Sequence, residues 1–212
     1  MTHTKPLQRG LPKVYLIDDD PMMTFLLVDL VESVNLPYVV FDSATGFLQQ
    51  DMSTLAGCIV TDVRMPGMSG LELQDELRRG GVDLPVIFIS SYPEVPTVVR
   101  AMRGGALDFF QKPFSTQKLL DRIQDGIRID RARAEMQARS REMGERMALL
   151  TPREREVLQG VFEGKLTKVI AHELGISQRT AETYRHLIMQ KLQAGSIAEM
   201  VRLAMEFMPR NS

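Results

Sequence analysis

Short apolar runs alternate with amphipathic stretches along the first half of the chain. The runs are rich in Val, Ile and Phe, as expected of strands that are covered on both faces of a sheet. Between them, apolar residues recur at the spacing of a helix that buries one face. The pattern predicts strands at Lys13–Asp18, Tyr38–Phe41, Gly57–Asp62, Leu84–Ser90 and Leu107–Gln111.

Each predicted strand is followed by a predicted helix, and this order decides the fold class. The helices are expected at Met22–Val34, Ser43–Leu48, Gly70–Arg79, Glu94–Arg103 and from Thr116 onward. Strands that alternate with helices form a parallel sheet, and right-handed crossovers place helices on both of its faces. The sequence therefore predicts a doubly wound α/β fold with five parallel strands.

The last of these helices has no stop signal where the α/β pattern ends. The stretch from Leu119 to Met147 contains no Pro, and its apolar residues are too irregularly spaced for a coiled-coil heptad. We expect a helical linker here, with a seam for a partner helix as the alternative.

The chain then restarts with a clear helix signal. Thr151 is a good N-cap, Pro152 suits the first helical position, and Glu154 completes a capping box. Later helix boundaries are marked by a terminating Gly or a capping Ser, at Gly164, Gly175, Ser177 and Ser196-x-x-Glu199. A short helix, a Gly turn and a longer helix are typical of a helix-turn-helix.

The predicted parts are a flexible arm at 1–12, an α/β domain at 13–119, a helical linker at 120–147 and a small all-α domain at 148–212. The net charge of −1 hides a difference between the two domains. Residues 11–119 carry 8 Lys and Arg against 14 Asp and Glu, a balance of −6, whereas residues 148–212 carry 9 against 7, a balance of +2. The asymmetry indicates domains with different partners.

The composition disfavours several classes of protein. No apolar run approaches the roughly 20 residues of a membrane span, and the polar start does not resemble a signal peptide. The single Cys, Cys58, lies in an apolar strand and indicates a buried thiol, not a disulfide framework. Three scattered His residues do not suit a zinc site. We therefore expect a cytoplasmic protein.

Polar side chains stand at the carboxyl ends of the first, third, fourth and fifth predicted strands: Asp18 and Asp19, Asp62, Ser90 and Lys112. Ligands of such sheets bind beyond this edge, so these groups are expected to converge there. Asp62 stands where an apolar strand meets a loop with Pro and Gly, and we take it as the chemical centre.

These residue types suit phosphoryl transfer. Neighbouring carboxylates repel unless a cation lies among them, and oxygen donors favour a hard ion such as Mg²⁺. Asp62 can attack a phosphoryl group in line, while Lys112 and the Ser90 hydroxyl hold the transferred oxygens. Two alternatives are an ordinary solvated acidic turn and a phosphatase of the haloacid dehalogenase type, whose Asp-x-Asp motif fits Asp18-x-Asp20 poorly.

Residues 13–119 resemble the receiver domain of two-component response regulators. The matching features are the acidic pair, Asp62 in Asp-x-Arg-Met-Pro-Gly, Ser90 after an apolar strand, and Lys112-Pro113. Residues 148–208 resemble a LuxR-type helix-turn-helix, in Leu150-Thr-x-Arg-Glu-Arg-Glu-Val-Leu158, Ile176-Ser-x-Arg-Thr180 and Lys191-Leu192. The combination is similar to the FixJ/NarL subfamily.

The resemblance implies that Asp62 is the phosphoacceptor. It also implies that Asp19, Asp62 and the backbone carbonyl of Arg64 ligate Mg²⁺, with Asp18 acting through water. Ser90 and Lys112 would bind the phosphoryl group.

A switch is implied as well. Phe109 would turn inward when Ser90 moves, with an ordinary core position as the alternative, and the Lys112-Pro113 bond would be cis. One departure is Ser91-Tyr92, which stands where receivers commonly carry a small residue after the Ser or Thr.

The predicted recognition helix follows Ser177 and runs to about Gln193. Residues recurring at helical spacing should pack inward, namely Ala181, Tyr184, Ile188 and Leu192, and the outward set should be Arg179, Glu182, Arg185, His186 and Met189. By family position, the DNA-contacting set comprises Arg179, Thr180, Glu182, Thr183, Arg185, His186 and Lys191. Of these, Glu182, Thr183 and His186 are candidates for base edges, and Arg179, Arg185 and Lys191 for phosphates.

The family likeness implies partners: a sensor histidine kinase, double-stranded promoter DNA, a second copy of the chain after phosphorylation, and RNA polymerase. It implies a transcription regulator and not an enzyme. Two alternatives stay open. One is a protein-interaction regulator, or anti-activator, that acts without phosphorylation, motivated by Tyr92 and by Glu182, where relatives often carry Lys. The other is a protein-binding four-helix unit with a solvated helix face.

Overall fold

A computed structural model describes residues 9–207, without the side chains of residues 206 and 207. The chain divides into two compact units, the first ending at Ala134 and the second beginning at Glu135. Among the described residues, none of the helices combines the length and the apolar character needed to cross a bilayer.

The described part of the first unit contains five strands and four complete helices. The strands are β1 Lys13–Ile17, β2 Tyr38–Phe41, β3 Gly57–Asp62, β4 Val86–Ser90 and β5 Asp108–Gln111. The helices are α1 Pro21–Glu32, α2 Ala44–Leu48, α3 Gly70–Arg79 and α4 Val95–Arg103, with a 3-10 turn at Met52–Thr54. The predicted elements are all present; most of their bounds agree with the prediction, and the others differ by one or two residues.

The strands form one parallel sheet in the order β2-β1-β3-β4-β5. Leu16 of β1 is in register with Val60 of β3, so the ends of these two strands lie side by side. The predicted doubly wound sheet is therefore confirmed. It also follows that Asp18 and Asp62 emerge from neighbouring strands at the same edge.

Side chains alternate between the two faces along each strand, so both faces of the sheet carry apolar side chains. Helices cover both faces. One face packs Ile59 and Phe88 against residues of α2, α3 and α4, including Phe47 and Leu73. The other packs residues of α1 and α5 against the sheet, and its buried members are Val14, Leu16, Leu27, Val31, Cys58, Val60, Ile87, Ile89, Leu119 and Ile123. Full burial of each Val, Leu or Ile side chain in this set contributes roughly 1.5–3 kcal/mol.

Helix α5 runs from Thr116 to Ala148, and the division between the two units falls within it. Its first turns pack on the sheet through Leu119 and Ile123, with Ile127 partly buried beside them. The helical state predicted for 120–147 is present, and sheet packing extends into that range.

The second unit contains the end of α5 and four further helices within the described residues: α6 Pro152–Phe162, α7 Thr167–Glu173, α8 Gln178–Leu192 and α9 Ile197–Phe207. Its core is built from Val157 and Leu158 of α6, Ile170 of α7, Ile188 of α8 and Met200 of α9.

Two capping boxes start helices in the structure, and the one at Thr151 was expected from the sequence. Ser69 accepts a hydrogen bond from the Glu72 backbone while Glu72 accepts from the Ser69 backbone, and this starts α3. Thr151 and Glu154 make the same reciprocal pair at the start of α6. Each box satisfies two backbone N–H groups that the helix itself cannot bond.

The predicted flexible arm spans 1–12, and residues 1–8 of it lie outside the described residues. In the described part, the Gly10 N–H donates to the carbonyl oxygen of Thr54 at 2.8 Å. Arg9 makes an ion pair with Asp130 of α5. This end of the arm is thus bonded to the first unit.

Candidate functional site

Asp62 ends β3 at the carboxyl edge of the sheet, with only 7% of its surface exposed. Its Oδ2 accepts a hydrogen bond from the Arg64 N–H at 2.6 Å, and its Oδ1 accepts one from Lys112 Nζ at 2.7 Å. One oxygen is thus fixed by the loop after β3, and the other faces the side chain that follows β5.

Lys112 lies between two carboxylates. Its ammonium donates to Asp62 and also to Asp18 Oδ2 at 3.1 Å, and the second Asp18 oxygen accepts from the Asp20 N–H. The structure therefore brings Asp18, Asp62 and Lys112 together, as the strand endings predicted.

The charges in this group do not balance, since two carboxylates share one ammonium. Burial raises the pKa of Asp18 by more than the hydrogen bonds from Asp20 and Lys112 lower it, and the charge of Asp62 adds slightly to this rise. Burial also opposes the charge on Lys112, but its hydrogen bonds to Asp62 and Asp18 outweigh burial and raise its pKa. The site therefore retains uncompensated negative charge.

The predicted cation ligands are placed unequally. Asp19 is exposed beside the buried Asp18, and no group of three or more His, Cys, Asp or Glu between residues 9 and 207 is already arranged to hold a metal ion. The donor chemistry nevertheless fits a hard divalent cation, because Asp18 and Asp62 supply carboxylate oxygens with excess negative charge. Asp19 follows Asp18 directly, and Arg64 lies two positions after Asp62.

Ser90 ends β4 and is 2% exposed. Its hydroxyl accepts a hydrogen bond from the Tyr92 N–H at 3.2 Å, and its carbonyl accepts one from the Lys112 N–H at 2.8 Å. Phe109 on β5 is half-buried, with its ring centroid 6.1 Å from that of Phe88. The expected cis bond between Lys112 and Pro113 is present.

A second group of side chains joins the loops after β3 and β4. The Arg64 guanidinium donates to Glu94 at 2.8 Å and lies 5.5 Å from the centre of the Tyr92 ring. The family resemblance implied a role only for the carbonyl of Arg64. The contact with Glu94 could not be predicted from the sequence, because it links residues 30 positions apart and no local pattern marks it.

Gly70 lets α3 begin directly against the end of β3. A Cβ at this position would lie 2.3 Å from the carbonyl oxygen of Asp62, and the Gly70 N–H donates to the Val63 carbonyl. Only glycine permits this approach, so the position of α3 is fixed against the strand that carries Asp62.

The second candidate site is the outward face of α8. Arg179, Glu182, Thr183 and His186 lie on the exposed side of this helix at the spacing of one face. Glu182 Oε1 accepts a hydrogen bond from the Gln178 side chain at 3.0 Å, which leaves its other oxygen outside this bond.

The predicted inward face of α8 is present: Ala181, Ile188 and Leu192 are fully buried, and Tyr184 packs partly buried against the core. The placement predicted for Met189 is wrong, since it is half-buried against the same core. Helical spacing alone assigned Met189 to the outward face, because the buried face of the helix is wider than one line of residues.

Three of the predicted DNA contacts have partners in the second unit that lie outside α8. Thr180 is bonded to the capping Ser177, and Arg185 donates to the Thr167 hydroxyl of α7. Lys191 donates to Glu154 at 2.6 Å, and Glu154 is 2% exposed. These bonds hold α8 against its neighbours.

Comparison with known families agrees with this architecture. Residues 14–124 match the response regulator receiver domain, and residues 148–204 match the bacterial regulatory proteins of the luxR family. Nodulation protein W of Bradyrhizobium diazoefficiens is 39% identical over 202 residues, which is 95% of this chain and 88% of that protein.

The transcriptional regulatory protein FixJ of the same organism is 40% identical over 192 residues, covering 91% of this chain and 94% of FixJ. The solved structure of response regulator StyR has a TM-score of 0.87 at 38% identity and covers 93% of this chain and 100% of that one. These likenesses extend over both units, and they support the transcription regulator over the protein-interaction alternative. The chain therefore belongs to the family of transcriptional response regulators that join a receiver domain to a LuxR-type helix-turn-helix domain.

Proposed function

We propose that Asp62 accepts a phosphoryl group from a sensor histidine kinase and that this controls the binding of promoter DNA by the second unit. One observation carries the proposal: Asp62 lies at the sheet edge with Lys112 Nζ at 2.7 Å from one oxygen and the Arg64 N–H at 2.6 Å from the other. A carboxylate held in this way is oriented for attack, because its rotation is restricted from both sides.

The transfer forms a bond between a carboxylate oxygen of Asp62 and phosphorus while the bond from phosphorus to the donor nitrogen breaks. The donor imidazole keeps the electron pair of the broken bond and takes up a proton from solvent. Lys112 stays close enough to contact the new phosphoryl oxygens, and the Ser90 hydroxyl can donate to another. Positioning and charge do most of the work in this reaction, so no further acid or base is required.

Receiver domains generally bind Mg²⁺ at the phosphorylation site. We propose that Asp18, Asp19, Asp62 and the carbonyl of Arg64 hold it in this chain. When bound, Mg²⁺ would screen the negative charge of the incoming phosphoryl group. Asp18 and Asp62 share the single ammonium of Lys112, so this edge carries an excess of negative charge that such an ion would balance.

Ser90 and Phe109 are proposed to report phosphorylation to the rest of the receiver. Ser90 precedes the loop to α4, and Phe109 packs beside Phe88 one strand away. Drawing the Ser90 hydroxyl towards a phosphoryl group breaks its bond with the Tyr92 N–H, which frees this loop to rearrange. Phosphorylation then shifts the population towards an active receiver.

The output is proposed to be a homodimer on DNA. The exposed row of Arg179, Glu182, Thr183 and His186 would face the major groove, with Arg179 on phosphates and the others at base edges. Two copies would read half-sites about 10 base pairs apart or a multiple of that. Since the ligand is promoter DNA, we place the action in the cytoplasm, with RNA polymerase as a further partner and regulation, not enzymatic turnover, as the role.

Within this scheme, the arm is taken as 1–12, the receiver as 13–119, the linker as 120–147 and the DNA-binding domain as 148–212. Arg185 and Lys191 are proposed as phosphate contacts that also hold α8 in place. Thr180 is assigned to the start of the same surface.

The test is the intact mass of the protein after incubation with Mg²⁺ and acetyl phosphate or a phosphorylated kinase domain. The wild type should gain one phosphoryl group and shift from monomer to dimer on sizing. Asp62→Asn should gain none, whereas Asp42→Asn, which changes the exposed carboxylate that follows β2, should behave as the wild type. Labelling of Asp62→Asn to the wild-type level would refute the assignment.

The DNA half of the proposal has its own test. Binding of the labelled protein to duplex DNA should weaken steeply with salt, because phosphate contacts release counterions. Arg179→Ala should lower affinity across all sequences. Binding that is insensitive to both salt and Arg179 would point to a protein partner instead.

A further inference from the structure

A buried carboxylate lies at the opposite end of the receiver from Asp62. Asp130 of α5 is 1% exposed, and each of its oxygens has a partner. Oδ2 accepts the Gly57 N–H at 2.8 Å at the start of β3, and Oδ1 accepts Arg9 Nη1 at 2.9 Å. These partners lie 73 and 121 positions away in the chain.

The Gly57 N–H needs such an acceptor because of the way β3 begins. Gly57 has φ +124°, and a Cβ there would lie 1.9 Å from the carbonyl oxygen of Lys13. The strand is thus pressed against β1 in a conformation that favours glycine, and its first N–H points to α5. Asp130 therefore connects the start of β3 to the helix that leads out of the receiver.

Arg9 supplies the positive charge that this carboxylate requires. A buried carboxylate that loses its cation is left with a large desolvation penalty, so breaking such a pair destabilises far more than breaking an exposed one. Arg9 is held close by the neighbouring Gly10, whose N–H is bonded to Thr54. The end of the arm thus acts on α5 through one side chain.

A second contact fixes the same part of α5. Arg133 makes an ion pair with Asp83 at 2.9 Å, in the loop before β4, and also donates to its carbonyl oxygen. Both anchors lie in the last turns of α5 within the first unit, just before the division at Ala134.

We propose that Arg9 and Asp130 form a conformational latch for α5. With the latch closed, α5 stays helical and docked through its last turns in the receiver. With Arg9 withdrawn, the buried charge of Asp130 favours local unfolding of these turns of α5. The segment that leads into the second unit is then no longer anchored to the receiver. The latch concerns the fold of the receiver; its effect on DNA binding rests on the function proposed above.

The test is hydrogen exchange measured by mass spectrometry on the full chain, with amides 124–134 as the reporter. Arg9→Ala should speed exchange there about tenfold, since one buried charge loses its partner. Arg9→Lys keeps the charge and should restore most of the protection. Arg128→Ala, which removes an exposed i,i+3 pair on the same helix, is the matched control and should leave exchange unchanged.

The double-mutant cycle with Asp130→Asn separates the latch from a general loss of stability. Asn keeps an acceptor for Gly57 but removes the buried charge, so Arg9→Ala should have little added effect in that background. Unchanged exchange in Arg9→Ala would overturn the proposal. An equal effect of Arg9→Ala in both backgrounds would also overturn it, because Arg9 would then act without Asp130.

The link to DNA binding is read separately. In the wild type, phosphorylation should raise DNA affinity, and Arg9→Ala should reduce this gain severalfold while Asp62 is still labelled. If the gain equals that of the wild type, the latch does not govern output and that part of the proposal falls. No gain in the wild type itself would instead refute the function proposed above, leaving the exchange result intact.

Discussion

The two edges of the receiver sheet each bury carboxylates, yet they treat the charge differently. At the carboxyl edge, Asp18 and Asp62 share Lys112, and the site is left with net negative charge. At the amino edge, one carboxylate, Asp130, meets one cation, Arg9, and one backbone N–H. The first arrangement is short of positive charge, and the second is balanced.

This difference in charge balance distinguishes a site suited to phosphoryl transfer from a contact that serves only the structure. An edge with an excess of negative charge lowers the stability of the fold. It can, however, bind a divalent ion and stabilise the transfer of a phosphoryl group. A buried pair whose charges are balanced has no excess charge with which to bind an ion, and it mainly orients the elements that it connects. Charge balance, and not burial alone, therefore tells the two apart.

Among the variants proposed for the amino edge, Gly57→Ala should reduce the stability of the receiver most. The added Cβ would meet the Lys13 backbone at 1.9 Å, and neither strand can move without losing ladder bonds. We expect a loss of about 3 kcal/mol or more in the free energy of unfolding, measured by urea titration. Gly81→Ala is the control: it shares a positive φ, but a Cβ there has open space, so only about 1 kcal/mol should be lost. Equal losses would show that strain, not the approach to β1, dominates.

Neutralising one carboxylate at each edge should have opposite signs. Asp18→Asn relieves repulsion with Asp62 and should raise the free energy of unfolding by about 1 kcal/mol in the absence of Mg²⁺. Asp130→Asn removes a compensated charge and should lower it by roughly 1–2 kcal/mol. The added stabilisation by Mg²⁺ should shrink in Asp18→Asn and persist in Asp130→Asn. The same sign for both variants would contradict the comparison.

The pH dependence of stability should differ between Asp18 and Glu154 in sign. Burial and the charge of Asp62 raise the pKa of Asp18, so its contribution is present at acid pH and is lost as pH rises through the raised pKa. Burial of Glu154 opposes its charge, but bonds from Lys191 and Thr151 prevail and lower its pKa below 4.5. Its contribution is present above 4.5 and is lost as pH falls through the lowered value. The free energy of unfolding should be measured for the wild type and both variants across pH 3–7. Asp18→Asn should lack the loss of stability that the wild type shows as pH rises through the raised pKa of Asp18. Glu154→Gln should lack the loss that the wild type shows as pH falls through the lowered pKa of Glu154.

The smallest effect is expected for the exposed pair at the carboxyl edge. Glu94→Gln breaks the ion pair with Arg64, in which both side chains are more than half exposed, so stability should change by less than about 0.5 kcal/mol. The lifetime of the phosphoryl group is the more sensitive measurement, because Arg64 and Tyr92 lie on the loops that flank the site. Tyr92→Ala in parallel shows whether the ring or the ion pair matters.

The sequence predicted those features that local patterns encode. Strand endings located Asp18, Asp62, Ser90 and Lys112, because parallel strands bring their carboxyl ends to one edge. Capping residues located the start of α6. The functional roles of these side chains stay predictions until they are tested.

Long-range pairing was beyond such reasoning. Arg9 and Asp130 lie 121 positions apart, and the arm around Arg9 shows no periodicity that would mark a contact. Glu154 was recognised as a capping residue, but its bond to Lys191 was not, since one side chain can serve two partners only when the tertiary fold supplies the second.

The bond between Asp130 and Gly57 also sets an order of events during synthesis. Gly57 leaves the ribosome 73 residues before its acceptor does. At about 5–20 residues per second, that interval is roughly 4–15 s, during which the first N–H of β3 has only water to bond. All five strands precede Asp130 in the chain, so a nascent receiver whose strands have emerged still lacks the acceptor for Gly57 at its amino edge. Chaperones and early misfolded species would meet the receiver in that stage, before α5 closes it.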